Sequence, residues 1–183
     1  KGREMRTSKR VRESVRRKRL SVQLAAAKAV VEQLEGGRVL SSSVQLVGSR
    51  RGLDLTQACW LAFGSEGRGE QTIATDQDNG LLFLSKDAGR DRPAWLAFGR
   101  EVNDALDACG YPLCKGNVMA SNPACCLTPD EWQHSFGHWI ANGSPQDLLN
   151  ASIYFDLRAL SGNPALVHPL RDMITREAAR VPR

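Results

Sequence analysis

Two acidic side chains, Asp76 and Asp78, stand two residues apart in Thr-Asp-Gln-Asp-Asn, just ahead of the apolar run Leu81 to Leu84. On an extended chain that spacing places both carboxylates on one face. Like charges so close repel unless a cation lies between them, and hard oxygen donors in this arrangement suit Mg²⁺ or Mn²⁺. A few residues upstream, Gly64, Gly67 and Gly69 let the backbone turn tightly and approach a ligand. Such a loop offers N–H groups to phosphate oxygens, to which Ser65 adds a hydroxyl and Arg68 a fixed positive charge. A phosphate cradle beside a divalent-cation site is the apparatus of phosphoryl or nucleotidyl transfer. The plainer reading, a tight turn followed by an exposed acidic strand start, leaves the glycines, Ser65, Arg68 and Glu70 together unexplained.

The elements that must position these residues are short. Cys59 to Phe63 is an apolar run ended by glycine, as expected for a buried strand, and a second strand follows the acid pair. The loop is not a P-loop, because no Gly-Lys-Ser/Thr follows the glycines and no Gly-x-Gly-x-x-Gly opens a helix. Gly-Ser-Glu-Gly-Arg-Gly-Glu-Gln-Thr with Thr-Asp-Gln-Asp-Asn resembles instead the Gly-Ser … Asp-x-Asp signature of the polymerase-β-type nucleotidyltransferase superfamily. Within it, the chain is similar to the nucleotidyltransferases attached to CBS-pair and cyclic-nucleotide-binding domains, relatives of the PII-protein uridylyltransferases. A second stretch carries the resemblance, Gly-Asn-Val-Met-Ala-Ser-Asn-Pro at 116–123 ahead of a helix with Trp132, and the likeness runs with gaps from about Trp60 to Leu170. In that stretch Lys115 and Asn122 either face the nucleotide or belong to an ordinary turn.

Ser152 to Leu160 is strand-like in composition, with Asp156 in its middle. A buried acid there needs a cation, which Arg158 could supply. The resemblance of Phe-Asp-Leu-Arg to the superfamily's third acidic strand implies instead that Asp156 joins Asp76 and Asp78. The fold so implied is α/β, a small mixed sheet from strands near 59–63, 79–84, 116–120 and 152–158, flanked by helices and preceded by a long basic helix. The implied reaction is attack of an acceptor hydroxyl on the α-phosphorus of a nucleoside triphosphate. Gly64, Ser65, Gly67 and Arg68 would hold the triphosphate, and Asp76, Asp78 and Asp156 would hold two divalent metals. The acceptor could be a protein, as for the uridylyltransferases.

The remaining sequence sets limits on these readings. Of 183 residues, 42% are hydrophobic and 25% charged, a globular balance. No apolar run approaches the ~20 residues needed to span a bilayer, and no signal-peptide pattern opens the chain, so a cytoplasmic location and no membrane partner are expected. Lys1 in place of an initiating Met predicts a fragment, and the resemblance implies that regulatory domains lie upstream. Five cysteines, with Cys125 and Cys126 adjacent, form neither a disulfide framework nor a paired zinc motif. The net charge of +5 conceals an arm: residues 1–19 carry ten Lys/Arg against Glu4 and Glu13, and the rest is mildly acidic. The acidic body and the absence of interleaved aromatics argue against nucleic acid as the partner, leaving the arm as a solvated connector.

Helices are predicted over 8–35, stopped by Gly36-Gly37, from Pro93 to about Ala108, from Pro129 to Ala141, and from Pro164 to about Ala179, with a short one near Val44 to Val47. Asp87 to Arg92 reads as a polar turn. His134 and His138 have zinc-ligand spacing but no Glu between them and no third ligand, so they read as surface or partly buried histidines. The expected division is a basic helical linker at 1–37, a transferase domain at 38–161, and the start of a C-terminal helical region at 162–183. A non-catalytic nucleotide sensor is the competing function.

Overall fold

The computed structural model describes residues 38–69 and 76–180. The chain divides into two units, 1–36 and 37–183, so the helix expected over 8–35 and the basic arm lie outside the described residues. Within the second unit the elements are α1 (38–51), β1 (Ala58–Ala62), α2 (Gly64–Gly67), β2 (Asn79–Phe83), α3 (Ala88–Ala108), β3 (Cys126–Leu127), α4 (Pro129–Asn142), α5 (Pro145–Tyr154), β4 (Arg158–Gly162) and α6 (His168–Ala178). The fold is α/β, with a four-stranded mixed sheet in the order β3-β2-β1-β4 flanked by helices. Strand β1 is antiparallel to both β2 and β4, and β3 runs parallel to β2.

All five residues of β1 and all five of β2 are buried, which fits their near-continuous apolar runs and requires cover on both faces. Period two then divides the side chains. Cys59, Leu61, Phe63 and Leu82 face Trp132 and Phe136 of α4, Tyr154 of α5, and Leu170, Met173 and Ile174 of α6. Trp60, Leu81 and Phe83 face Leu40, Val44 and Val47 of α1 and Trp95, Phe98, Val102 and Leu106 of α3. The result is three layers with the sheet in the middle.

The ends of the helices follow from local chemistry. Thr128 and Glu131 form a reciprocal capping box with Pro129 in the first turn, which starts α4 where the sequence predicts it. Ser144 and Asp147 do the same for α5 with Pro145. This second box corrects the strand expected over 152–158: Ile153 and Tyr154 are the last turn of a helix, Asp156 lies in the turn after it, and the strand begins at Arg158. Pro93 does not start α3. Asp87 caps that helix through Arg90 N–H, so the predicted polar turn is its first turn and Pro93 lies inside it.

The strand expected over 116–120 is likewise absent. Asn117 takes a left-handed φ of 57° and its N–H bonds Cys114 O, which makes a turn, while the sheet position beside β2 is filled by Cys126–Leu127. The stretch still touches the sheet's end, because Gln77 N–H donates to Pro112 O at 2.9 Å and Asn79 N–H to Val118 O at 3.0 Å. Near Val44 to Val47 the predicted short helix is the middle of α1. Among the described residues no helix is long and apolar enough to cross a membrane.

Trp132 ties the α4 side of this core together. It is fully buried against Phe63, Phe136 and Tyr154, and its indole N–H donates to Leu81 O of β2 at 3.2 Å. Trp132→Ala should therefore lower unfolding stability by about 3–5 kcal/mol, read from urea denaturation with an unchanged denaturant slope. A loss under about 1 kcal/mol would show that the layer repacks around the missing ring.

Candidate active site

The sheet register brings the sequence-predicted residues to one place. Ala62, the last residue of β1, lies opposite Asn79 at the start of β2 and opposite Arg158 at the start of β4. The glycine turn leaves β1 there, the acid pair enters β2 there, and Asp156 lies two residues before the start of β4. Three separate stretches of sequence thus share one end of the sheet.

The glycine turn is a single helical turn rather than an open loop. Gly64 takes φ +53°, and a Cβ on it would stand 3.3 Å from Asp78 Oδ2, so the acid is seated over this glycine. The N–H groups of Gly67, Arg68 and Gly69 donate to Phe63 O, Gly64 O and Glu66 O. A Cβ on Gly67 would overlap the carbonyl oxygen of Asp156, which is why the turn after α5 can lie directly against α2. Ser65 is partly buried in this turn, and Arg68 reaches outward.

Asp76 is exposed and Asp78 half-buried, and Phe63 N–H donates to Asp78 O at 3.0 Å. Burial pushes the Asp78 carboxyl above its usual range, the Cys114 thiol hydrogen-bonded to it pulls the other way, and the charge of Asp76 pushes it up again. Asp156 forms an ion pair with Arg68 in which both side chains are about 40% exposed, at 38% and 42%. Its expected partner Arg158 instead donates from Nη2 to Glu66 O at 2.8 Å.

Glu66 is the residue that sequence reasoning passed over. It is 3% exposed, and burial raises its carboxyl from 4.5 to about 7, with Arg158 opposing the rise and Asp78 adding to it. The available signal was its place inside the glycine turn, one residue beyond Ser65 and directly after a buried strand. Cys114, whose thiol touches Asp78, gave no signal of its own. Asn122 is engaged in its own turn, accepting from Ala124 N–H and donating to Asn117 O, while Lys115 is an exposed turn residue. His134 and His138 are both exposed, His138 beside Asn142 and Asp147.

These donors meet the chemistry of a hard divalent cation only in part. The charge of Asp76 adds to the cost of ionising Asp78, and a cation between the two carboxylates would remove that cost. Among the described residues no three His, Cys, Asp or Glu side chains are grouped to hold a metal on their own. Two carboxylates suit Mg²⁺ when water and substrate phosphates complete its shell.

Glu66 makes a pH-dependent contribution whose sign is fixed by the direction of its shift. Ionising it is harder in the folded chain than in the unfolded one, so its contribution to stability is full below about pH 4.5 and is lost as pH rises through about 7. Between those limits the stability of Glu66→Gln relative to the parent should shift by up to about 3 kcal/mol in the variant's favour. Denaturation curves of both proteins at acidic and mildly alkaline pH measure it. Parallel pH dependences would show that Glu66 is ionised at no special cost.

No curated protein and no solved structure matches the chain. A family model described as "Putative nucleotidyltransferase DUF294" matches residues 6–146, which is more than half of the chain and includes α1 through α4, the glycine turn and the acid pair. The chain therefore belongs to the DUF294 family of nucleotidyltransferases.

Proposed function

We propose that the protein transfers a nucleoside monophosphate from a nucleoside triphosphate to an acceptor hydroxyl. The observation that carries the reading is the meeting of the glycine turn with Asp76 and Asp78 at one end of the sheet, where Asp78 rests on Gly64. Asp76 and Asp78 would hold Mg²⁺ or Mn²⁺, with Asp156 as a third ligand once it is released from Arg68. Bound there, the cation supplies charge neutralisation for the triphosphate and the leaving pyrophosphate.

In this reading the first amides of the glycine turn and Ser65 meet the triphosphate, since the first turn of a helix leaves its N–H groups without intrahelical partners. Arg68 exchanges the Asp156 carboxylate for a phosphate oxygen, a ligand its guanidinium binds in the same forked manner. The acceptor oxygen forms a bond to the α-phosphorus and the bond from that phosphorus to the bridging oxygen breaks. Pyrophosphate leaves, and the hydroxyl proton passes to the Asp156 carboxylate. A protein acceptor and uridylyl transfer, after the PII-type enzymes that the motifs resemble, are the finer form of the proposal, with upstream regulatory domains as partners and the cytoplasm as the location.

A non-catalytic nucleotide sensor is favoured by one observation, the Arg68–Asp156 ion pair, which removes one carboxylate from a three-acid site. The two readings separate on the same samples. Labelled triphosphates incubated with the protein, Mg²⁺ and cell lysate should yield a labelled acceptor, and Asp76→Asn and Asp78→Asn should each lower that transfer on the order of 10³-fold. If Asp156 takes part, Asp156→Asn should do the same at an unchanged melting temperature. If it only pairs with Arg68, the variant should turn over normally, since so exposed an ion pair contributes about 0–1 kcal/mol. Cation-dependent triphosphate binding with no labelled product from any of the bases would establish the sensor.

A further inference from the structure

Asp76 and Asp78 alternate along the chain with Gln77 and Asn79, and the alternation sorts charge from amide. The acids lie on the outer side, while Gln77 and Asn79 are 3% and 1% exposed. A third carboxamide, Asn103 of α3, also 1% exposed, meets them from the far side of the layer. Its Nδ2 donates to Gln77 Oε1 at 2.7 Å and to Asn79 Oδ1 at 3.0 Å. Its Oδ1 accepts from Ser121 N–H at 3.2 Å, and its carbonyl accepts from Gln77 Nε2 at 3.0 Å. Gln77 Nε2 also donates to Tyr111 O at 2.8 Å, and Asn79 Oδ1 also accepts from Ala120 N–H at 2.8 Å.

We propose that Asn103 is a positioning residue for the acid pair, holding the residues on either side of Asp78 so that Asp76 and Asp78 keep one spacing and one direction. The inference rests on the nucleotidyl-transfer reading. Two neighbouring carboxylates repel, and their repulsion splays the segment that carries them unless the segment is fixed from behind. Asn103 fixes it with both hydrogens of one amide, each given to a side chain flanking Asp78. A carboxylate in its place would turn lone pairs toward two oxygens, and an aliphatic side chain would leave both of those oxygens short of a donor. A buried lysine or arginine would bring a positive charge beside the very acids whose negative charge attracts the cation. A neutral amide, hydrogen-bonded at both ends, avoids all three faults.

The test is a titration of the purified protein with Mn²⁺ alone, with free Mn²⁺ read by electron paramagnetic resonance and folding followed by circular dichroism. Asn103→Ser and Asn103→Ala should each raise the Mn²⁺ dissociation constant by roughly 10-fold, the lower end of the range for losing an outer partner of a metal site, since Asn103 acts through Gln77 and Asn79. Phe98→Leu, a core change on the same helix outside the network, supplies a control of comparable melting temperature and should stay within about twofold of the parent. Asn103 variants that melt earlier but bind Mn²⁺ as the parent does would overturn the inference and leave the transfer reading standing. So would Asn103 variants that stay unfolded even in the cold, since the network would then serve folding alone. A parent protein that binds Mn²⁺ neither alone nor with a nucleoside triphosphate present would overturn the transfer reading, and the inference with it.

Discussion

Antiparallel pairing of β1 with both of its neighbours is the constraint from which the rest of the molecule follows. Because both partners run opposite to β1, their first residues meet its last, and Ala62 faces Asn79 on one side and Arg158 on the other. Whatever leaves β1 is therefore held against whatever enters β2 and β4. The register is in turn secured by burial: all five residues of β1 lie in the core, so a slip of one position would send each side chain toward the wrong layer. Hydrophobic packing of Trp60 against α3 and of Phe63 against α4 and α5 thereby fixes the place of charged groups that touch neither.

Those charged groups are not balanced where they meet. Glu66 lies buried near Asp78, and both carboxyls are held above their usual range, chiefly because water is excluded. Arg158 offsets part of this, its guanidinium being shared between the field at the Glu66 carboxylate and a hydrogen bond to the Glu66 carbonyl. An excess of negative charge at a partly buried sheet end is a cost in the isolated chain and an attraction for a cation. The same excess would repel a triphosphate arriving alone, so cation and triphosphate should favour each other's binding here.

Local signals were legible and long-range ones were not. Strands β1 and β2 show in the sequence because both are continuous apolar runs, and α4 shows because Thr-Pro-Asp-Glu is a capping box written out in order. That the acid pair and the glycine turn lie together was legible, because so short a connection joins two adjoining strands. Ser152 to Leu160 misled because Ile153, Tyr154 and Phe155 favour strands, whereas the cap set by Ser144 and Asp147 and packing of Tyr154 on Phe63 and Trp139 carry the helix through Tyr154. Cys126–Leu127 is too short to show as a strand, and it takes the place beside β2 through pairing that no local pattern records. The partners Gln77–Asn103 and Arg68–Asp156 lie 26 and 88 residues apart, and only the fold brings them together. The inward direction of Gln77 and Asn79, by contrast, follows from the alternation that puts Asp76 and Asp78 outward.

On the proposed transfer reading, the Arg68–Asp156 pair would have to open before either side chain could meet a ligand. With both side chains about 40% exposed, the pair is screened by water and contributes about 0–1 kcal/mol, so opening it costs little. A triphosphate offers Arg68 a ligand of higher charge and equal fork geometry, and a cation offers Asp156 a partner of twice the charge. Each half of the pair would thus gain by exchange, but neither would gain fully unless the other were also satisfied, since a lone phosphate on Arg68 would leave the Asp156 carboxylate without that partner. Gly67 keeps the exchange local: with no side chain on it, the Asp156 backbone stays against α2 whichever partner the carboxylate holds. If the proposed transfer is right, the ion pair would be a resting contact that keeps a cationic and an anionic group in place until ligands of opposite charge arrive together.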